Sequence, residues 1–260
     1  MKEKLNTIRP KLIFFFIFII SWWAVWYLKF WPNWLFPSPV AVAEKLFEGF
    51  NNYTFILGIL TSMKRILIGF SISVIIGTML GFLIARVNML HEALGSLILG
   101  LQTLPSICWL PLALLWFGLN ETAITFVVVM GTVLSITISV QTAINNIPPS
   151  LVKVGRMLGA SRLSLHRHVT LPAILPYYVM GLKQGWSFAW RSLISGEMLF
   201  ITTGLGQLLA LGRELNDMAQ VMAVMIVIIF IGVTFDQLIF GLLERKISHR
   251  WGLTLSRKTV

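Results

Sequence analysis

Long uninterrupted apolar runs, with no strict alternation of apolar and polar residues, dominate this chain. Such windows lie at about 12–31, 66–85, 93–117, 122–144, 173–200 and 219–243. Each approaches or passes the roughly 18 to 20 residues that a bilayer's hydrocarbon core demands of a helix. A membrane barrel would instead show period-two alternation. The pattern therefore predicts an all-α polytopic membrane protein with six transmembrane helices.

Shorter patterns sit between and within these runs. After Pro37-Ser38-Pro39, Val42, Leu46 and Phe50 recur every fourth residue, which fits either a short amphipathic helix at the outer surface or a plain connecting loop. The second span carries Gly69, Ser73, Gly77, Gly81 and Ala85 at spacings of four, a stripe on which another helix can pack closely. In the third span Pro105 and Pro111 flank Cys108 and Trp109, and each removes a backbone donor, so this helix is expected to be broken or kinked. Such a break either lines a pathway or serves packing alone.

Composition narrows the class further. Of 260 residues 57% are hydrophobic and only 12% charged, and the mean hydropathy is +0.82, which argues against a soluble enzyme. The single cysteine, Cys108, can form neither an intrachain disulfide nor a thiolate metal site by itself. The net charge of +11 reports orientation here, because it is unevenly spread between the two sides of the predicted spans. With both termini cytoplasmic, the inner segments collect fourteen bases against three acids. The outer segments, which include Lys64, Arg65 and Glu121, balance five against five. The positive-inside rule then places both termini in the cytoplasm. The run from Leu12 is read as an uncleaved span, since it ends among Trp22, Trp23, Trp26, Tyr27, Trp31 and Trp34, an interfacial aromatic belt.

The longest inner connection, 145–172, is too polar to span. Pro148 and Pro149 with Ser150 mark a helix start, and Val154, Met157, Leu158, Ser161 and Leu165 fall on one helical face among Lys153, Arg156, Arg162 and Arg167. Gly159 is a candidate break in this helix. Such a basic amphipathic helix can adhere to anionic headgroups or dock into a soluble partner.

The order of residues in this loop is similar to that of the cytoplasmic loop of ABC importer permeases. That loop has the pattern Glu-Ala-Ala, three residues, Gly, nine residues, Ile, any residue, Leu-Pro. Gly159 and Leu171-Pro172 match it, Val169 stands where isoleucine is usual, and Lys153-Val154-Gly155 replace Glu-Ala-Ala. Gly69-Phe70, Leu104-Pro105, Leu115-Trp116-Phe117-Gly118, Gly196-Glu197-Met198 and Thr203-Gly204-Leu205-Gly206 extend the resemblance to permeases for sulfonates, taurine, nitrate and related compounds, from about residue 60 onward.

The resemblance implies a type I importer-like permease of the bacterial cytoplasmic (inner) membrane, one that dimerises around a central pathway. It implies two cytoplasmic ATP-binding cassette ATPase subunits, an external substrate-binding protein and a second permease copy as partners, with surrounding membrane lipid and no nucleic acid. The organisation expected is a cytoplasmic N-terminus at 1–11, a six-span permease domain at 12–243 containing the coupling loop 145–172, and a cytoplasmic tail at 244–260. The coupling residues implied are Lys153, Arg156, Leu158, Gly159, Ala160, Ser161, Leu171 and Pro172.

No Gly-x-x-x-x-Gly-Lys-Ser/Thr occurs, so ATP and magnesium are expected to act in the partner ATPase, with no cofactor in this chain. His-Glu-x-x-His and Gly-x-Ser-x-Gly are also missing, and His166 and His168 lie on different faces of a helix, so neither hydrolytic nor metal chemistry is expected. Lys183, Trp190 and Glu197, spaced by seven, form a near-stripe in the fifth span, with Arg191 about 100 degrees from Trp190. Together with Pro105 they are the candidate translocation path. Lys183 and Arg191 either attract an anionic solute or pair with Glu197, Asp236 or a second copy. The alternatives to an importer permease are an energy-coupling membrane subunit, a channel, or a membrane enzyme.

Overall fold

The protein is described from a computed structural model at residues 2–200 and 202–250, and these residues form helices joined by short turns, with no strand among them. In chain order the helices are α1 (Lys2–Tyr27), α2 (Pro39–Asn51), α3 (Thr54–Arg86), α4 (Asn88–Gln102), α5 (Leu110–Phe117) and α6 (Glu121–Asn145). They continue with α7 (Pro149–Met157), α8 (Arg162–Leu165), α9 (Leu171–Glu197), α10 (Leu205–Glu214), α11 (Met218–Phe235) and α12 (Gly241–Arg250). Residues 251–260 of the predicted tail, with Arg257 and Lys258, lie outside the described residues, as do the side chains of Lys2, Lys4, Lys11, Arg162 and His166.

Among the described residues, three helical stretches are long and apolar enough to cross a membrane: Thr54–Arg86, Glu121–Asn145 and Met218–Ile247. The third predicted span is broken as its prolines foretold. Asn88–Gln102 and Ser106–Phe117 meet at 103° and together can make one further crossing. The first and fifth predicted spans are helical but less clear-cut. The apolar part of α1 is the shorter Leu12–Tyr27, and α9 has 27 residues whose hydropathy is lowered by Lys183, Arg191 and Glu197. The second span begins a dozen residues before its predicted start, because α3 spans 33 residues.

Two compact units are present, and α3 and α11 each contribute to both. In the unit made of residues 2–61 and 202–230, Ser38 caps α2 by accepting the Ala41 amide at 3.1 Å, and Pro39 occupies its first turn. The amphipathic helix read at Val40 to Phe50 thus forms. Val42 is buried, while Phe50 stays exposed and meets the edge of Phe55 at 5.5 Å. Asp217 caps α11 through the Gln220 amide at 3.0 Å and also pairs with Lys45 on α2 at 3.1 Å.

In the unit made of residues 62–200 and 231–250, α3, α6 and α9 form the packed centre. The small-residue stripe of α3 lies against α6: a Cβ on Gly69 would sit 2.7 Å from Val128, and one on Gly81 would sit 2.6 Å from the Thr137 carbonyl. Gly181 and Gly185 of α9 do the same for Ser139 and Ile136. Trp186 anchors the far side of α9, stacked on Phe235 at 5.0 Å and meeting the edge of Phe70 at 5.2 Å.

Candidate coupling helix and translocation-path residues

The inner loop folds into a short helix that ends where its sequence requires. Pro149 sits in the first turn of α7, and Gly159 follows its end with φ of +78°. The Ala160 amide donates to the Gly155 carbonyl at 3.1 Å and the Gly159 amide to Arg156 at 3.0 Å, the paired bonds of a Schellman cap. Only a residue tolerant of the left-handed region fits at 159, which gives a physical reason for the glycine. Ser161 then starts α8 by accepting the Ser164 amide at 3.3 Å.

Because the helix breaks at Gly159, the single apolar face read from sequence divides. Val154, Met157, Leu158 and Ser161 remain exposed, whereas Leu165 is buried. Gly155 makes this fold-back feasible: a Cβ there would lie 2.6 Å from Leu165 Cδ1 and 3.2 Å from Val169. Glycine in place of the second alanine of Glu-Ala-Ala therefore supports close packing. Lys153, Arg156, Leu158 and Gly159 share an exposed tip, with Leu158 81% accessible, and Ala160 is half-buried. Leu171 and Pro172 open α9 instead and line a separate cavity with Thr78 and Tyr178.

The residues read as a stripe in the fifth span divide into engaged and open ones. Lys183 pairs with Asp236 at 3.2 Å and reaches Glu244 at 3.7 Å. Asp236 opens a π turn, Asp236–Phe240, in the apolar run Met218–Ile247. Trp190 is buried and stacks on Trp186 at 6.5 Å. Glu197 is fully buried and accepts from Ser62 Oγ at 2.7 and 2.9 Å and from Arg65 Nη1 at 3.0 Å. Arg65 Nη2 in turn lies 3.2 Å from Glu121, whose side chain is 58% exposed. Arg65, placed in an outer connection by sequence, is instead a buried residue of α3. A signal for this exists: Arg65 lies four residues before Gly69 and continues the small-residue stripe by one step.

Arg191 is different. Its Nε donates to the Ser187 carbonyl at 3.1 Å and its guanidinium lies 4.9 Å from the Phe188 ring, but no carboxylate pairs with it among the described residues. It lines a cavity of about 390 Å³ with Pro105, Ser106, Trp109 and Ser195, at the break between α4 and α5. Of the predicted path residues, Pro105 and Arg191 are brought together here. Lys183, Trp190 and Glu197 do not line this cavity.

The fold is that of a polytopic helical membrane protein. Residues 73–249 match the family model of the binding-protein-dependent transport system inner membrane component, and the chain belongs to that family. It is 29% identical to the riboflavin transport system permease protein RibX of Chloroflexus aurantiacus over 90% of this chain and 87% of that protein. It is 27% identical to the nitrate import permease protein NrtB of a Synechocystis strain, over 78% and 77% of the two chains. A chain of the MetNI methionine ABC transporter, solved in an inward-facing conformation, matches with a TM-score of 0.63 at 18% identity, covering 75% of this chain and 96% of that one. The chain is the permease subunit of an ABC importer, a multi-pass membrane protein and not an enzyme. As a family, these permeases work with an ATPase and a substrate-binding protein.

Proposed function

We propose that this permease carries a small anion, delivered by an external binding protein, past Arg191 in the cavity at the Pro105 break. The observation that carries the reading is a cation without an acidic partner among the described residues, facing a cavity whose other lining residues are uncharged. Ser106 and Ser195 offer hydroxyl donors beside it, the chemistry that a nitrate or sulfonate oxygen accepts. Lys183 is already neutralised by Asp236 and is assigned to structure.

The exposed tip of Lys153, Arg156, Leu158 and Gly159 is the surface offered to the ATPase, and Ala160 and Ser161 complete it. Leu171 and Pro172 hold the loop to α9. A rigid helix with a fixed cap can pass closure of an ATPase dimer to the spans on either side. ATP and magnesium act in that partner. Both termini face the cytoplasm of a bacterial inner membrane, as the excess of basic residues on one side supports, and two copies enclose the path.

The test is ATP-driven uptake by proteoliposomes that hold this permease with its ATPase and binding protein, offered nitrate, taurine and riboflavin in turn. The expected result is uptake of an anion that falls about tenfold in Arg191→Gln, as loss of one charge-assisted contact implies, and less than about twofold in Lys183→Gln. Uptake of riboflavin alone, or an anion uptake indifferent to Arg191→Gln, overturns the anion reading. Retention of the ATPase on an affinity column, lost in Gly159→Trp and Arg156→Glu, checks the tip separately.

A further inference from the structure

We infer that the cavity below Arg167 holds an acyl chain of an anionic phospholipid whose phosphate rests on the Arg167 guanidinium. The cavity measures about 720 Å³ and is walled by Thr78 and Phe82 of α3, Val140 of α6, and Leu171, Leu175 and Tyr178 of α9. Its two hydroxyls bond to each other, Thr78 Oγ1 and Tyr178 Oη lying 3.0 Å apart. What the wall presents is therefore almost wholly carbon. Arg167 stands at the cavity in the π turn His166–Thr170, exposed and with no carboxylate partner among the described residues. No acid lines the cavity.

An apolar volume beside the Arg167 guanidinium fits an amphiphile with an anionic head. From Leu171 to Tyr178 the helix rises about 10 Å, enough for the upper half of an acyl chain. A free phosphate or the transported solute would leave the carbon wall unused. The site is also separate from the Arg191 cavity, with which it shares no lining residue. In a membrane subunit the phospholipid is at hand as solvent, so no further partner is needed.

The experiment is native mass spectrometry of the purified full-length permease, with whatever subunits accompany it. It is incubated with phosphatidylglycerol or with phosphatidylcholine of the same acyl chains. The wild type is expected to retain phosphatidylglycerol about fivefold over phosphatidylcholine, the preference that one basic residue at an anionic headgroup gives. Arg167→Gln abolishes that preference while leaving the exposed site's fold intact. Leu175→Trp, which fills the cavity from a partly exposed position, lowers retention of both lipids. Equal retention of the two lipids by the wild type overturns the assignment, as does a preference unchanged in Arg167→Gln or retention unchanged in Leu175→Trp. Glycerol phosphate added in excess leaves the adduct in place if the acyl chain is bound. Its displacement of the adduct would show a headgroup site alone and reject the lipid reading.

Discussion

Arg65 on α3 and Glu197 at the end of α9 stand 132 residues apart in sequence and 3.0 Å apart in space, and both are buried. Ser62, one turn before Arg65, donates to the same carboxylate. This guanidinium and hydroxyl offset the cost of holding the Glu197 charge out of water.

Removing one partner of this pair is therefore expected to cost more than removing its exposed neighbour. Arg65→Ala should destabilise by roughly 3 to 5 kcal/mol, the range for a broken buried pair. Glu121→Gln, at the solvated end of the same network, should cost about 1 kcal/mol or less. Thermal unfolding of the detergent-solubilised protein decides it, and the opposite order would remove Glu197 from the role given to it.

The inner loop makes a two-part prediction. Gly155→Leu forces a side chain into Leu165 and Val169 and should cost about 1 to 3 kcal/mol by overpacking, with the tip displaced and the ATPase released. Gly159→Ala meets no atom within 4 Å and is opposed only by its backbone, at roughly 1 to 2 kcal/mol. Gly159→Asn should recover much of that loss, since asparagine tolerates the left-handed region. Unfolding temperature read beside ATPase pull-down separates the two effects.

On α3 the stripe should behave differently from the glycines of α4. Gly81→Leu drives a side chain into the Thr137 carbonyl and Val140, whereas a Cβ at Gly100 meets nothing within 4 Å, which leaves Gly100→Leu room at its root. The first should lower expression of folded protein and its unfolding temperature, by about 1 to 3 kcal/mol of strain. The second should leave both unchanged. Fluorescence-detected size exclusion on the two variants is sufficient to tell.

The Lys45–Asp217 pair gives a pH dependence. Burial pushes the Asp217 carboxyl up, but the Gln220 amide and the Lys45 ammonium outweigh it and hold the group below its usual range. The hydrogen bond from Lys45 to Asp217 raises the ammonium's affinity for its proton, against the opposing effect of burial. Asp217 thus contributes stability above the unfolded carboxylate value near about 4, lost as pH falls through its lower folded value. Lys45 contributes below about 10.4, and this is lost as pH rises through its higher folded value. Asp217→Asn should lower the unfolding temperature at pH 7, and the gap to wild type should close in the acid range below about pH 4. A gap of constant size across that range would mean that the cap alone, and no charge, is involved.

Much of the candidate site was legible because its causes are local. The Pro149 start and the Gly159 stop of α7 follow from a missing amide and a positive φ, and the break at Pro105 follows from a missing donor. The division of the loop's apolar face was not legible, since it depends on α8 folding back so that Leu165 meets Gly155. Arg65 escaped notice because a charge at the edge of an apolar window reads as a loop residue, although its place on the glycine stripe pointed inward.

The sequence by itself determined the helical class, the kinship with importer permeases, the helix ends and the faces on which glycines permit close approach. Each of these rests on hydropathy, backbone chemistry or residue order within a few turns. The tertiary structure alone decided which charges are neutralised and which stay open. Lys183 finds Asp236, Glu197 finds Arg65, and Arg191 faces a cavity with no acid beside it among the described residues. Coulombic pairing acts over a few ångströms of space and is blind to separation along the chain.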